Sequence, residues 1–179
     1  MEDKDIIELY RSGQEERAFA LIVKNYSEKL YWHVRRFTVS HEDADDILQD
    51  VFIKVWAALP SFREESRLFT WLYRIATNEA LNWNRKAHVK AAMQFESLGK
   101  QLDDRIDSDP YFNGDELQRE LQKAINRLPA RQKEVFMLRY FDELPYEDIS
   151  EILGTSTSSL KASYHHAYEK IKDALKKHF

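Results

Sequence analysis

Apolar positions recur every three or four residues along most of this chain. Phe19, Ile22, Val23, Tyr26 and Leu30 form one such set, and Ile47, Leu48, Val51, Phe52 and Val55 form a second that ends before Pro60. Leu68, Leu72, Ile75 and Ala76 begin a third, with Trp71 and Trp83 adding bulk. Leu160, Tyr164, Ala167, Ile171, Ala174 and Leu175 trace a narrow fourth. This spacing puts each set on one side of a helix, and that side must be buried against neighbours. No sustained period-two run rich in β-branched residues interrupts the pattern, so the predicted fold class is all-α.

The four glycines and four prolines fall where such helices should start or stop. From about Ala87 to Asp115 the periodicity fails. Asp103, Asp104, Asp107, Asp109 and Asp115 crowd together with Ser97, Gly99, Ser108, Pro110, Asn113 and Gly114. Like charges repel, and few apolar side chains remain to offset the entropy of ordering. The expected organisation is two small helical domains, residues 1–90 and 116–179, joined by an acidic flexible linker over 91–115.

In the second domain, Pro145 suits the first turn of a helix, where its missing N–H would be unpaired anyway. Ile149, Ile152 and Leu153 share a side of that helix, which stops at Gly154, a residue that tolerates the left-handed conformation. Thr155, Ser156, Thr157 and Ser158 can cap the next helix. The face opposite its apolar stripe holds Ser158, Lys161, Ala162, His165, His166, Glu169 and Lys172. Short helix, glycine turn and hydroxyl-rich helix start match a DNA-reading helix-turn-helix. A helical hairpin with a solvated outer face has the same pattern.

The first domain carries two contrasting segments. His41 to Asp50 reads HEDADDILQD. The helix dipole accounts for Glu42, Asp43, Asp45 and Asp46, leaving Gln49, Asp50 and Lys54 as a polar ridge beside Val51 and Phe52. After Pro60, Arg63, Arg67, Arg74 and Arg85 interleave with Phe62, Phe69, Trp71, Tyr73 and Trp83. Aromatic faces stack unpaired bases while arginines track the phosphates. Asn78 and Asn82, one turn apart, can reach base edges from one helix face. Trp71, Leu72 and Ile75 are read as core, whereas Phe62 lies in a loop.

Net charge is −4 and the pI about 5.9, which argues against binding nucleic acid by bulk charge. DNA contact must therefore come from local faces, inside a larger complex. The chain has no cysteine, which removes thiolate metal sites and cysteine nucleophiles. The start, Met1-Glu2-Asp3-Lys4-Asp5, has no apolar signal core, and no apolar run is long enough to span a bilayer, so a cytoplasmic location without membrane insertion is expected. No nucleophile, glycine-rich phosphate loop or metal-ligand spacing supports an enzyme. The expectation is of no catalytic residue, no cofactor and no metal.

Asp43-Ala-Asp-Asp-Ile-Leu-Gln-Asp-Val-Phe-Ile-Lys-Val-Trp56 resembles the polymerase-binding segment of sigma region 2. Ser61-Phe-Arg-Glu-Glu-Ser together with Phe69-Thr-Trp-Leu-Tyr-Arg-Ile-Ala-Thr-Asn78 resembles its promoter −10 segment. Leu128-Pro-Ala-Arg-Gln-Lys-Glu-Val-Phe136 and Tyr146-Glu-Asp-Ile-Ser-Glu-Ile-Leu-Gly154 resemble region 4. The order is correct and the resemblance covers nearly everything but the linker. The chain is thus similar to the extracytoplasmic-function (ECF) RNA polymerase sigma factors.

The resemblance implies a transcription initiation factor that binds core RNA polymerase, recognises −10 and −35 elements of promoter DNA and aids melting. Asp46, Gln49, Asp50, Phe52 and Lys54 would face the clamp helices of the largest polymerase subunit, and region 4 would meet the flap region. Phe62 and its loop, with Arg63, would take up a base flipped from the melted −10 strand, and Asn78, Asn82 and Arg85 would contact adjoining DNA. Ser158, Ser159, Lys161, Ala162 and His165 would enter the −35 major groove. An anti-sigma factor is a further implied partner. Relatives carry arginines where this chain has Ser163, His166 and Tyr168, and alanine where it has Ser150. The competing reading is a stand-alone helix-turn-helix regulator, which would bind duplex DNA without polymerase.

Overall fold

The computed structural model describes residues 1–38, 40–93, 98–112 and 114–179. Ser97 and Asn113, named above among the linker residues, lie outside them. The described residues form only helices and their connections: α1 (Asp3–Arg11), α2 (Glu15–Thr38), α3 (His41–Ala58), α4 (Leu68–Met93), α5 (Leu98–Ser108), α6 (Glu116–Asn126), α7 (Ala130–Tyr140), α8 (Tyr146–Leu153) and α9 (Thr157–His178). Short 3-10 turns follow α3 and α5.

Local chemistry explains the boundaries. The Ser40 hydroxyl accepts the Asp43 N–H at 3.4 Å and starts α3, whose first turn is acidic as the dipole favours. Pro145 stands at the N-cap of α8, one residue before the position predicted for it. Gly154 ends α8 at φ 67, a left-handed conformation that a side chain at this position would resist by about 1–2 kcal/mol. Of the four hydroxyl residues that follow, Ser156 is the cap, its Oγ accepting the Ser159 N–H at 3.3 Å.

In the N-terminal half, α2 packs against α1, α3 and α4, and α3 against α4. The fully buried Ile22, Leu30, Val34, Phe37, Val51, Val55 and Leu72 fill the space between them. Each such side chain contributes about 1.5–3 kcal/mol when removed from water. In the C-terminal half α9 lies against α6, α7 and α8, around Phe136, Leu138, Ile149, Leu160 and Ala167. The two halves also touch, because α8 packs on α4 and one apolar core continues from one half into the other.

The segment predicted as an acidic linker contains the helix α5. Leu102 and Ile106, one turn apart, pack with Ala91 and Phe112 into a small separate core. Its acidic residues meet cations from elsewhere in the chain: Asp103 with Arg127 at 2.6 Å, Asp107 with Lys123 at 2.7 Å, and Asp109 with Arg35. Arg105 in turn reaches Asp43 of α3 at 2.8 Å. Local composition alone predicts repulsion here, and the distant arginines and lysines reverse it.

Candidate nucleic-acid interface

Helices α8 and α9 and the turn at Gly154 have the geometry of a helix-turn-helix. Inside the turn, the Ser150 hydroxyl donates to the Thr155 carbonyl at 2.6 Å, so the serine that stands where alanine was expected ties the turn together. Leu160, Ala167 and Ile171 point inward. Ser158, Ser159, Lys161, Ala162, His165 and His166 are all exposed on the first turns of α9. The Lys161 ammonium lies 5.7 Å from the centre of the Tyr146 ring, which anchors the lysine stem near the turn. Glu169 is paired with Lys172 at 2.8 Å, and that hydrogen bond holds its carboxyl below the usual range. The acidic residue on this face is therefore not a bare charge.

On α3, Asp46, Gln49, Asp50, Ile53 and Ala57 are exposed at helical spacing and form one continuous ridge. Lys54 lies at its edge, paired with Glu79 of α4. Phe52 is turned from the ridge toward α2, edge-on to Phe19 at 6.4 Å, and Trp56 completes the cluster at 5.1 Å from Phe19. Ile53 is 66% exposed and Trp56 43% exposed. Neither was singled out from the sequence. The signal was there for Ile53, an apolar residue that falls outside the α3 core stripe.

Trp71, Ile75, Asn78, Asn82 and Arg85 follow one another at spacings of three or four along α4. Asn78 and Arg85 are exposed; Asn82 is half-buried, and its Oδ1 accepts from Arg85. A shallow groove lined by Lys54, Ala57, Ala58, Ile75, Asn78, Glu79 and Asn82 joins this stripe to the α3 ridge. Trp71 and Ile75, predicted as core, are half-buried at the edge of this surface.

The loop after Pro60 is more structured than a free aromatic loop. The Phe62 ring packs on Trp71 at 4.9 Å and lines an apolar cleft of about 190 Å³ with Ile6, Tyr10, Ile22 and Leu68. Arg63 beside it is exposed, and Glu64 (φ 59) pairs with Arg11 of α1, which fixes the loop to the first helix. At the other side of α4, Arg67 pairs with Asp148 and Arg74 donates to the Glu151 carbonyl at 3.1 Å.

Residues 22–89 match the family Sigma-70 region 2, and residues 118–171 match Sigma-70, region 4. The chain is 31% identical to the ECF RNA polymerase sigma-E factor of Haemophilus influenzae over 97% of its own length and 95% of that protein's. It belongs to the ECF sigma factors. The function of this sigma factor is that of a transcription initiation factor directing RNA polymerase to promoters. Among solved structures it resembles CnrH in complex with the cytosolic domain of CnrY, with a TM-score of 0.72 and 22% identity over 98% of this chain and 97% of that one. It also resembles the sigma factor RpoE of Bartonella quintana, solved with the anti-sigma factor NepR: TM-score 0.70, 26% identity, 88% of this chain and 96% of that one. In this ECF sigma factor, region 2 holds the α3 ridge and the α4 stripe, and region 4 holds α8 and α9. No helix among the described residues is long and apolar enough to cross a membrane.

Proposed function

We propose that this sigma factor docks on core RNA polymerase through the exposed α3 ridge, with Asp46, Gln49 and Asp50 answered by basic groups on the clamp helices. Ile53 adds apolar contact at its centre, Lys54 and Trp56 edge the surface on opposite sides, and Phe52 supports it from beneath. The carrying observation is that this ridge and the Asn78–Asn82–Arg85 stripe share one side of the α3–α4 pair. A polymerase held on the ridge thus has promoter DNA laid directly along the stripe. Residues 1–90 form the docking and −10 unit, 91–115 the connection, and 116–179 the −35 unit that also meets the flap region. Ser158, Ser159, Lys161, Ala162 and His165 enter the −35 groove, and the few cations there leave most of the affinity to polymerase. The protein works in the cytoplasm and is restrained there by an anti-sigma factor, as the Bartonella relative is bound by one.

Size-exclusion chromatography with core polymerase tests the assignment. Co-elution at moderate salt is expected, and its loss in a folded protein with charge-reversed Asp46 and Asp50 places the docking surface on the ridge; unchanged co-elution would move it elsewhere.

Phe62 and Arg63 take up a base extruded from the −10 strand. The apolar cleft beneath Phe62 offers contacts that offset an unstacking cost of a few kcal/mol. Phe62→Ala is expected to leave polymerase binding intact and to reduce open complexes several-fold, read as permanganate reactivity of unpaired thymines. Equal reactivity in both proteins would remove Phe62 from the melting step.

A further inference from the structure

The DNA-facing side of α9 carries little fixed charge. Opposite the buried Leu160, Ala167 and Ile171, its charged side chains are Lys161, Glu169 and Lys172. Glu169 and Lys172 pair at 2.8 Å and cancel, which leaves Lys161 as the unopposed cation. His165 and His166 add no charge while neutral, yet both are exposed, with ring centres 5.9 Å apart. Neither makes a hydrogen bond or ion pair among the described residues. Imidazole is the side chain whose charge ordinarily changes between about pH 5 and pH 8, so the electrostatics of this side depend on protons.

Helical spacing sets the two imidazoles on either side of one line. Ser158, Ala162 and Glu169 run down the centre of the exposed side, with His165 on one flank and His166 on the other, about 100° apart round the axis. Ser158 and Ala162 are small, so the helix can sink into a major groove ~12 Å wide and ~8.5 Å deep. The flanking side chains then face the groove walls, where the phosphates stand. His165 lies eight residues beyond Thr157, the first of α9, about 12 Å along the axis and past the turns that read bases.

The groups around the pair leave it open to an outside anion. On α9 itself, Lys161 stands one turn before His165, Glu169 is within electrostatic reach of it, and Lys170 stands one turn after His166. From α8, the Tyr146 ring meets Lys161 and Tyr164. From α7, Arg139 lies 4.8 Å from the centre of that same ring, and Tyr140 stacks on Phe136, which stacks on Tyr164. From α6, Glu116 and Glu120 meet His178 at the far end of α9. No carboxylate of α6, α7 or α8 is paired with either histidine among the described residues.

We propose that His165 and His166 form a proton-dependent phosphate grip for the −35 element: by taking up protons as pH falls, they supply the two cations that the neutral helix lacks. The proposal rests on the assignment of α9 to the −35 groove, and adds His166 and the protons to it. A phosphate beside an imidazole favours its charged form, so DNA binding and protonation strengthen each other by the same factor. Because backbone rather than bases is met, the gain falls on affinity and salt dependence and not on sequence preference.

The test uses holoenzyme, assembled from core polymerase and the full chain, on duplex promoter fragments that it selects from a random-sequence pool. The unmodified chain is compared with His165→Gln/His166→Gln and His165→Arg/His166→Arg, exposed changes to residues of good helix propensity. At about 0.1 M salt the affinity advantage of histidine over glutamine should be about tenfold greater at pH 6 than at pH 8, since each phosphate contact carries a salt slope of about −0.9. Taking the ratio at each pH cancels whatever polymerase itself titrates. The salt slope of the histidine protein should steepen by about one to two between pH 8 and pH 6, while the arginine protein keeps the steeper slope at both. On fragments cut to end downstream of the −35 element, the pH effect should vanish. A histidine-to-glutamine ratio that is the same at both pH values, or a pH effect that survives the cut, would overturn the proposal. Failure of all three proteins to join core polymerase would instead remove the sigma reading beneath it, and the proposal with it.

Discussion

An Asp50→Arg protein is expected to bind core RNA polymerase about tenfold or more weakly than the unmodified chain, with its helical content unchanged. Asp50 is exposed midway along the α3 ridge and makes no hydrogen bond or ion pair among the described residues, so reversing its charge disturbs nothing inside the molecule. Asp46 lies one turn before it and Asp45 and Glu42 stand farther toward the start of α3, so a surface that recognises this end of the ridge is basic. A new arginine would then face like charge, which costs several kcal/mol when the groups are brought together. The deficit should shrink as salt screens the exposed charges, and Asp50→Asn should fall between the two. Unchanged affinity for Asp50→Arg, measured by competition between labelled and unlabelled sigma factor, would move the docking surface off this ridge.

Lys133→Met is expected to stabilise the protein by about 2–3 kcal/mol at pH 7. Lys133 is buried on α7 with its ammonium 5.8 Å from the centre of the Phe37 ring of α2, so part of its cover comes from the other half of the molecule. Burial pushes its ammonium down to about 8 from an ordinary 10.5, and the neighbouring Glu134 only partly opposes this. Each pH unit of such a shift corresponds to ~1.4 kcal/mol. The folded state binds the proton less tightly than the unfolded one, so the penalty is complete below pH 8. It is relieved as pH rises from about 8 toward 10.5. Urea denaturation at pH 7 and pH 10 should show the advantage of methionine contracting at the higher pH. An equal difference at both would mean that the lysine holds its proton as tightly in the folded protein as in the unfolded one, so that burial does not depress it.

Much of this architecture can be read from residue spacing, and the failures share a cause. Gly154, the hydroxyl residues after it and the α9 stripe specify the helix-turn-helix locally, because each partner in the caps and the turn lies within five residues of the group it satisfies. The α3 ridge follows from helical periodicity alone. By contrast, the segment around α5 is held by Arg35, Lys123 and Arg127, none of which is adjacent to it in sequence, and a window over the linker sees an excess of acidic residues. The first helix was also missed. Its anchor, Ile6, is fully buried, but the helix is only 9 residues long and its remaining residues are mostly polar. The packing of the Phe62 ring on Trp71, nine positions away on α4, was likewise not legible from the loop sequence. The His33–Asp142 contact bridges 109 positions and leaves no periodic trace.

The acidic helix α5 also sets how far the two promoter readers can part. The roughly 25 residues between region 2 and region 4 would reach about 85 Å if fully drawn out. While wound, the 11 residues of α5 cover only about 16 Å, against roughly 37 Å as an extended strand. The helix is thus coiled slack, fastened at Asp103 and Asp107 to region 4 and at Asp109 and Arg105 to region 2. Separating the two regions therefore requires these four contacts to break, and lengthening the connection further requires α5 to unwind.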